Sequence, residues 1–345
     1  MNVAQEWLTG SIARIFRAVG LSAEASSVVA ESLVAADMRG VASHGALLVP
    51  MYVDRIRRGS VSLVESPVVV TDFGAVATLD AHHGLGVLSG DHAMRMAVSK
   101  AQRYGIGAVA VRHAFHFGAA FRFASAAASA GCLGVAAANT RPLMPAPGGA
   151  RPVVGNNPLA VAVPLPGLPP VVLDMALSEA ALGKVRLAAS EGRDIPVTWA
   201  TDRDGVPTTD PVAALEGMLL PSGGPKGYGL ALIIDVLTGV LSGGASGDEV
   251  RGLYADTGVP NDCAHFFLAI DPEAFGGAEL FAAKAVKLVR GVAKSPLRPG
   301  VERVYLPGQL EQERAEVAAR KGIQVDGGVL MALHKTAESL GVELS

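Results

Sequence analysis

The sequence predicts an α/β protein in which a sheet-containing middle is flanked by helical segments from both chain ends. Three observations carry that prediction. Apolar residues in the first ~58 positions recur at helical spacing, short β-branched runs set in at Ser66 and then alternate with helical stretches, and the pattern returns to helices from about Ala278. A length of 345 residues exceeds the usual single core, so two structural units are expected. The expected division is a helical unit from residues 1–72 and 279–345 around an α/β unit from residues 73–278.

Each element follows from local pattern. Ile12, Ile15, Phe16 and Val19 share one helical face, AEASSVVAESLVAADMRG continues the helical character, and a third helix runs through Tyr52 to Ile56. SPVVVTD and AVATLDA read as strands broken by Gly and Asp turns. A helix over His92 to Arg103 precedes GIGAVAVRHA as a buried strand, then an Ala-rich helix from Ala119 to Ala130 and CLGVAAANT as a second buried strand. LAVAVPL, PPVVLDMA and AHFFLAI are further strands. The apolar stretch from Tyr228 to Leu241 carries Asp235 and ends in Gly-rich sequence, which favours a core helix over a membrane span. QLEQERAEVAARKG and GVLMALHKTAESLG close the chain as helices.

Composition excludes several functions. A net charge of -3, with no cluster of Lys and Arg among aromatics, gives no basis for nucleic-acid binding. Hydrophobic residues reach 50% and mean hydropathy +0.36, an apolar surplus that an oligomer interface would absorb. Cys132 and Cys263 both lie in apolar surroundings, so neither a disulfide framework nor a thiolate metal site is expected, and a reducing cytoplasm fits. The N-terminus shows no basic start and no small-residue cleavage site, so no secretion signal is expected.

Polar groups collect at the ends of three predicted buried strands. VAVRHAFHF delivers His113 and His116, VAAANT delivers Asn139 and Thr140, and VVLDMA delivers Asp174, the usual place for a site in an α/β protein. Asn139 also suits a loop-shaping role and Asp174 a cap. GGPKGYGLALIIDVL opens a helix with glycines and one Lys, where free N–H groups and an ammonium suit an anion; a solvated loop is the alternative. HGLGVLSG has the wrong glycine spacing for a dinucleotide fingerprint and is discounted as a cofactor loop. Ser43 and His44 end a helical stretch. Adjacent helical residues diverge by about 100°, so this pair is not expected to act as nucleophile and base, and no G-x-S-x-G elbow supports a hydrolase. Histidine does suit proton delivery to a reduced carbonyl or imine, because both of its protonation states are accessible near neutral pH. A hydrogen-bonded helix-end histidine is the alternative. No metal site is expected: His82, His83, His113 and His116 include a His-x-x-His, with no HExxH, Cys pair or evident third ligand.

Taken in order, RGVASHG, PMYVDRIRRGSV, HFGAA, NTRPLMPAPGGARPVVGNNPLAVAVP, DMALSEAALGKV, GGPKGYGLALIIDVLTGVLSG and LPGQ resemble the malate/L-lactate dehydrogenase family over most of the chain. The resemblance implies a homodimer whose mixed, non-Rossmann sheet binds NAD or NADP, with the helical unit beside it. It implies His44 as proton donor, Ser43 as its relay neighbour and His116 as a second proton-transfer candidate. Cofactor positions carried over are His116, Phe117, Gly118, Ala119, Ala120, Thr140, Asp174, Met175, Ala176, Pro225, Lys226, Pro307, Gly308 and Gln309. The activity implied is NAD(P)H-dependent interconversion of a 2-oxo acid and a 2-hydroxy acid. A cyclic imino-acid reductase, or a cofactor-binding protein without turnover, is the alternative.

Departures from the family pattern bear on substrate choice. Leu48 stands where an arginine usually anchors a carboxylate, which leaves Arg141, Arg39 or another group to hold the acid, or points to a bulkier, less anionic substrate. Phe115 stands where smaller or amide residues are usual. Gln309 replaces the usual Glu beside the expected cofactor and bears on NAD against NADP, and Lys184 matches 2-oxo acid reductases better than imino-acid reductases.

Overall fold

The computed structural model describes residues 1–344. The chain begins with β1 (Asn2–Val3), α1 (Gln5–Ala18) and α2 (Ala23–Met38). Leu8, Ile12, Ile15 and Phe16 form the apolar stripe of α1 and are fully buried. At the start of α2 the Ser22 Oγ accepts a 3.1 Å hydrogen bond from the Ala25 N–H, satisfying one of the donors a helix start leaves free. Two single 3₁₀ turns, Ala42–His44 and Ala46–Leu48, then lead into α3 (Val49–Arg57).

The middle of the chain supplies β2 (Val68–Phe73), β3 (Val76–Asp80), α4 (Gly86–Tyr104), β4 (Ile106–Ala114), α5 (Phe121–Ser129) and β5 (Leu133–Ala138). A small hairpin, β6 (Met144–Pro145) with β7 (Pro152–Val154), precedes β8 (Leu159–Val163) and β9 (Val171–Met175). Next come α6 (Leu182–Glu191), α7 (Pro211–Glu216) and α8 (Pro225–Asp235), the last continuing as a π turn over Val236–Val240. The chain ends with β10 (Cys263–Ile270), α9 (Glu273–Gly276), α10 (Ala278–Ala293), α11 (Gln309–Lys321), β11 (Ile323–Gln324) and α12 (Gly327–Glu338).

Seven strands form one sheet in the order β2-β3-β4-β10-β5-β8-β9. Only β3 and β4 run parallel, and the other neighbours are antiparallel, so the sheet is mixed. The late strand β10 lies between β4 and β5, with Ala264, His265, Phe267 and Ala269 fully buried, so the loops after β4 and β5 flank a strand contributed from much later in the sequence. The chain ends also meet. β1 pairs with β11, α11 packs on α2, and α12 packs on α3 and on the Ala46–Leu48 turn. One apolar core runs from α1–α3 and α12 through α4 to the sheet, and a second cluster around Met144, Val154, Leu177, Val185 and Ile234 covers the β5–β8 side. No helix among the described residues is long and apolar enough to cross a membrane.

Two expectations from the sequence need correction. The helix expected from His92 starts at Gly86, and HGLGVLSG opens it. Its glycines disguise the start but are required by packing: a Cβ at Gly86 would lie 1.9 Å from the Phe115 carbonyl oxygen and one at Gly90 2.7 Å from the Phe123 ring. PPVVLDMA, expected as a buried strand, is instead the sheet edge β9, on which Leu173 and Asp174 are exposed.

Candidate active site

His44 lies in the 3₁₀ turn that follows α2, and its position is fixed from behind by Asp37. The Asp37 Oδ2 accepts a 2.8 Å hydrogen bond from the Ala46 N–H, and a Cβ at Gly45 would lie 1.9 Å from the same carboxylate. Only glycine lets the backbone pass that close. Burial raises the Asp37 acid to about 6, partly offset by the Ala46 hydrogen bond.

The Ser43 Oγ sits 2.9 Å from the His44 Nδ1, although these neighbours were expected to diverge. That expectation assumed a regular α-helix; the pair lies instead in a single 3₁₀ turn, where Nδ1, the ring nitrogen nearest the backbone, reaches the preceding hydroxyl. His116, after the end of β4, places its ring centroid 5.4 Å from that of His44. Its Nδ1 lies 2.7 Å from the hydroxyl of Tyr52, and Tyr52 packs edge-on against Phe115 at 4.9 Å. Burial lowers the His44 pKa. It lowers that of His116 well below the ordinary value, reinforced by the charges of His44 and His265. The Tyr52 hydroxyl is pushed far upward by burial. Both histidines are half-buried and retain some accessible surface. Tyr52 lay within a recognised motif without an assigned role, because nothing in a helical stripe distinguishes a core tyrosine from one that orients a histidine.

A second group of residues assembles around Asp174. Gly118 adopts a left-handed φ of 79° and leads through Ala119 and Ala120 into α5, whose first N–H, from Phe121, donates to the Asp174 Oδ2 at 2.9 Å. Asp174 therefore caps α5 rather than the segment that follows it. Although Asp174 keeps solvent contact at the sheet edge, desolvation by the protein packed around its carboxyl raises its pKa to about 6, against the opposing pull of the Phe121 hydrogen bond and Arg39. The Arg39 guanidinium stacks over the Phe121 ring at 4.4 Å, and Glu311 and Asp174 counter the lowering that burial imposes on it. The Pro307–Gln309 turn docks onto the same strand. Val172 N–H donates to the Pro307 carbonyl at 3.1 Å, and a Cβ at Gly308 would lie 2.5 Å from the Val172 carbonyl oxygen. Gln309 spends its amide locally: Oε1 accepts from Leu306 N–H and Nε2 donates to Glu313.

Thr140 belongs to a third cluster held by two asparagines. Its N–H donates to the Asn157 Oδ1 at 2.9 Å and its hydroxyl to the Asn156 Oδ1 at 3.0 Å, while the Asn157 amide donates to the Ala231 carbonyl of α8. Leu177 N–H donates to the Asn156 carbonyl, and Ser222 N–H to the Leu177 carbonyl. These bonds tie the Asp174–Met175–Ala176 run to the approach of α8, where left-handed Gly223 and Gly224 precede Pro225 and the exposed Lys226. Asn156 and Asn157 lie in the GNNP string, where nothing local marks them, since their partners are distant in sequence. Asn139 is structural: fully buried, it donates to Asp235 and the Ala245 carbonyl and accepts from Ala264 N–H.

The remaining candidates fall elsewhere. Leu48 is buried in the apolar core at 2% exposure, while Leu47 beside it is exposed. Arg141 lies against Gly252, where a Cβ would sit 2.8 Å from its Cδ, and its pKa is lowered by burial and by nearby Arg186. Fully buried Arg55 holds this loop, donating to the carbonyls of Gly252, Leu253 and Val259. The Lys184 ammonium lies 5.9 Å from the Trp199 ring centre. His113 and His116, three residues apart, do not share a site, since the His113 Nδ1 turns to Asp262 at 2.9 Å.

The malate/L-lactate dehydrogenase family model matches residues 3–334. Malate dehydrogenase of Pyrococcus horikoshii is 36% identical over 351 residues, covering 99% of this chain and 96% of the relative. Ureidoglycolate dehydrogenase (NAD(+)) of Escherichia coli is 37% identical over 325 residues, covering 94% of this chain and 93% of the relative. The solved sulfolactate dehydrogenase of Methanocaldococcus jannaschii superimposes with a TM-score of 0.94 at 34% identity, covering 100% of this chain and 98% of that one. The residue clusters around His44 and Asp174 thus sit in a chain that belongs to the malate/L-lactate dehydrogenase family.

Proposed function

We propose that this dehydrogenase interconverts a 2-hydroxy acid and a 2-oxo acid with NAD or NADP, His44 exchanging the proton at the substrate oxygen. The observation that carries the reading is the pair His44 and His116. Their rings are 5.4 Å apart, both pKa values are lowered by burial, and each Nδ1 is engaged, by Ser43 and Tyr52 respectively. That leaves the Nε2 of each ring free to exchange a proton.

The donor set around Asp174 and α8 fits a nicotinamide dinucleotide. Left-handed Gly118 and Gly308 keep the backbone free of Cβ atoms beside β9, Asp174 offers a carboxylate, and Lys226 with the first N–H groups of α8 supplies positive charge for phosphates. When bound, the nicotinamide donates or accepts the hydride. His44, largely neutral at pH 7, takes the hydroxyl proton in the oxidising direction, and an anionic substrate nearby raises its pKa for the reverse. The Tyr52 hydroxyl stays protonated and donates to the His116 Nδ1, fixing the imidazole proton on Nε2. Arg141, with Arg186 beside it, holds the substrate carboxylate in place of the arginine that Leu48 displaces.

The test is oxidation of NADH and NADPH against a panel of 2-oxo acids and piperideine-2-carboxylate, with wild type and His44→Ala. Turnover of a 2-oxo acid that His44→Ala abolishes supports the reading. Turnover of the cyclic imine alone replaces it with imino-acid reduction, and full activity of His44→Ala removes His44 from the proton transfer.

A further inference from the structure

Away from the His44–His116 pair, we propose that His83, His113 and Asp262 form a binding site for one divalent late-transition metal ion, zinc being the first candidate. One ligand atom from each residue lies within 4.8 Å of the other two. The His113 Nδ1 is 2.9 Å from the Asp262 Oδ1, and the His83 Nδ1 is 3.7 Å from the same oxygen. Ligands bonded at about 2.0–2.1 Å around a tetrahedral ion are about 3.3 Å apart, so the two spacings bracket the edge a zinc site requires. Two imidazoles and a carboxylate are a donor set for zinc or iron(II) rather than for magnesium or calcium, which prefer oxygen alone.

The three residues come from separate segments: the turn before α4, the end of β4 and the approach to β10. They are nevertheless pre-positioned. The His83 N–H donates to the His113 carbonyl at 2.7 Å, joining two ligands through the backbone. Among the described residues, every non-glycine with positive φ belongs to this patch: His82 at 47°, His83 at 59°, His113 at 49° and Asp262 at 56°. Backbone held in this region aims side chains in directions an ordinary strand end does not allow, and such strain gathers at sites of function. The His83 Nδ1 is enclosed and has no hydrogen-bond partner, a state that costs free energy unless something binds there. Behind His113, the Asp80 Oδ2 lies 4.0 Å from Nε2 and accepts from Arg112 Nε, while the Asp80 Oδ1 accepts from the His82 N–H. Carboxylates that support the far nitrogen of a metal-bound histidine hold such ligands in place. All three ligands keep partial exposure, so an ion can enter from solvent and retain water in its open positions. The sequence shows no third ligand because Asp262 is 149 residues beyond His113 and comes beside it only through the pairing of β10 with β4.

The experiment uses the full chain, freed of any affinity tag, stripped with chelator and desalted. Zinc chloride is titrated at pH 7.5 by calorimetry, and cobalt(II) by its visible d–d absorption. The variants are His83→Asn, His113→Asn and Asp262→Asn, because asparagine tolerates the left-handed backbone and the fold is preserved. The expected result is one ion per chain, a cobalt spectrum of low coordination number and a zinc-dependent rise in Tm. Each variant should bind more weakly by over ~100-fold, beyond the effect of losing a supporting partner, while His44→Ala keeps full stoichiometry. Absence of binding to the wild type overturns the proposal, as does binding that survives in the Asn variants or disappears in His44→Ala.

Discussion

The Tyr52 hydroxyl lies 2.7 Å from the His116 Nδ1. The phenol is 2% exposed and packed against Phe115 and Phe16, so a residue of the core sets the orientation of a half-buried histidine. Tyr52→Phe keeps the packing and removes the bond. It should lower kcat by about 10-fold and cost about 1–3 kcal/mol of stability through the unpaired Nδ1. A change in the pH profile of kcat/KM, alongside the lower rate, distinguishes orientation of His116 from loss of packing alone; an unchanged profile and rate assign Tyr52 to the core only.

His44→Ala should reduce kcat by roughly 100-fold or more while nicotinamide affinity measured by fluorescence is retained. In the oxidising direction the wild type needs neutral His44. Because burial lowers its pKa, the acid limb of kcat/KM should fall below the ordinary 6.5 of a free histidine. A limb above that value would place another group in control.

Asp37 links the turn to stability. Its acid sits at about 6 in the folded chain against an ordinary 3.8, so between these values the folded state holds a proton that the unfolded state has released. Its contribution is complete below about 4 and is lost as pH rises through about 6. Asp37→Asn still accepts from the Ala46 N–H and has no charge to bury. Its Tm should exceed that of wild type at pH 7.5, and the difference should shrink by pH 4.5. Equal differences at both pH values would show that the carboxyl ionises freely in the fold.

Lys226→Ala should weaken NAD(P)H binding by about 1–3 kcal/mol if the ammonium meets a phosphate, with kcat at saturation little changed. The loss should diminish at high salt. Affinity equal to wild type makes Lys226 a solvated surface residue.

Substrate anchoring separates Leu48 from Arg141. Leu48→Arg would insert a guanidinium into a position that is 2% exposed, so a drop of about 3 kcal/mol or more in stability is expected before any gain in selectivity. Arg141→Ala should instead leave Tm nearly unchanged and raise KM for the 2-oxo acid by about 10–100-fold, the loss of a charge-assisted pair. Normal KM in Arg141→Ala moves the anchor elsewhere.

Much of this architecture was legible in the sequence. Periodicity located α1 through Ile12, Ile15 and Phe16, and apolar runs located the buried strands β4 and β5, because those patterns record burial directly. What escaped depends on distant contacts. The glycines that start α4 look like a loop until Phe115 and Phe123 are seen beside them, and β9 looks buried until its place at the sheet edge is known. The site divides in the same way. His44, His116, Asp174 and Lys226 stand in recognisable strings, whereas Tyr52, Asn157 and Asp262 acquire partners 64, 74 and 149 residues away, separations that leave no local signature.

The pairing of β1 with β11 also orders events during synthesis. Asn2 lies opposite Gln324, and α12, from Gly327 onward, supports the turn that contains Leu48 and leads into α3. A ribosome-bound chain can form the β3–α4–β4 unit from local contacts, but the support beneath the His44 segment emerges only after the sheet. The segment that carries His44 is thus supported only after translation of the sheet, and a nascent chain not yet extended through α12 would expose the apolar faces of α3 and of the Ala46–Leu48 turn to chaperones or to neighbouring chains.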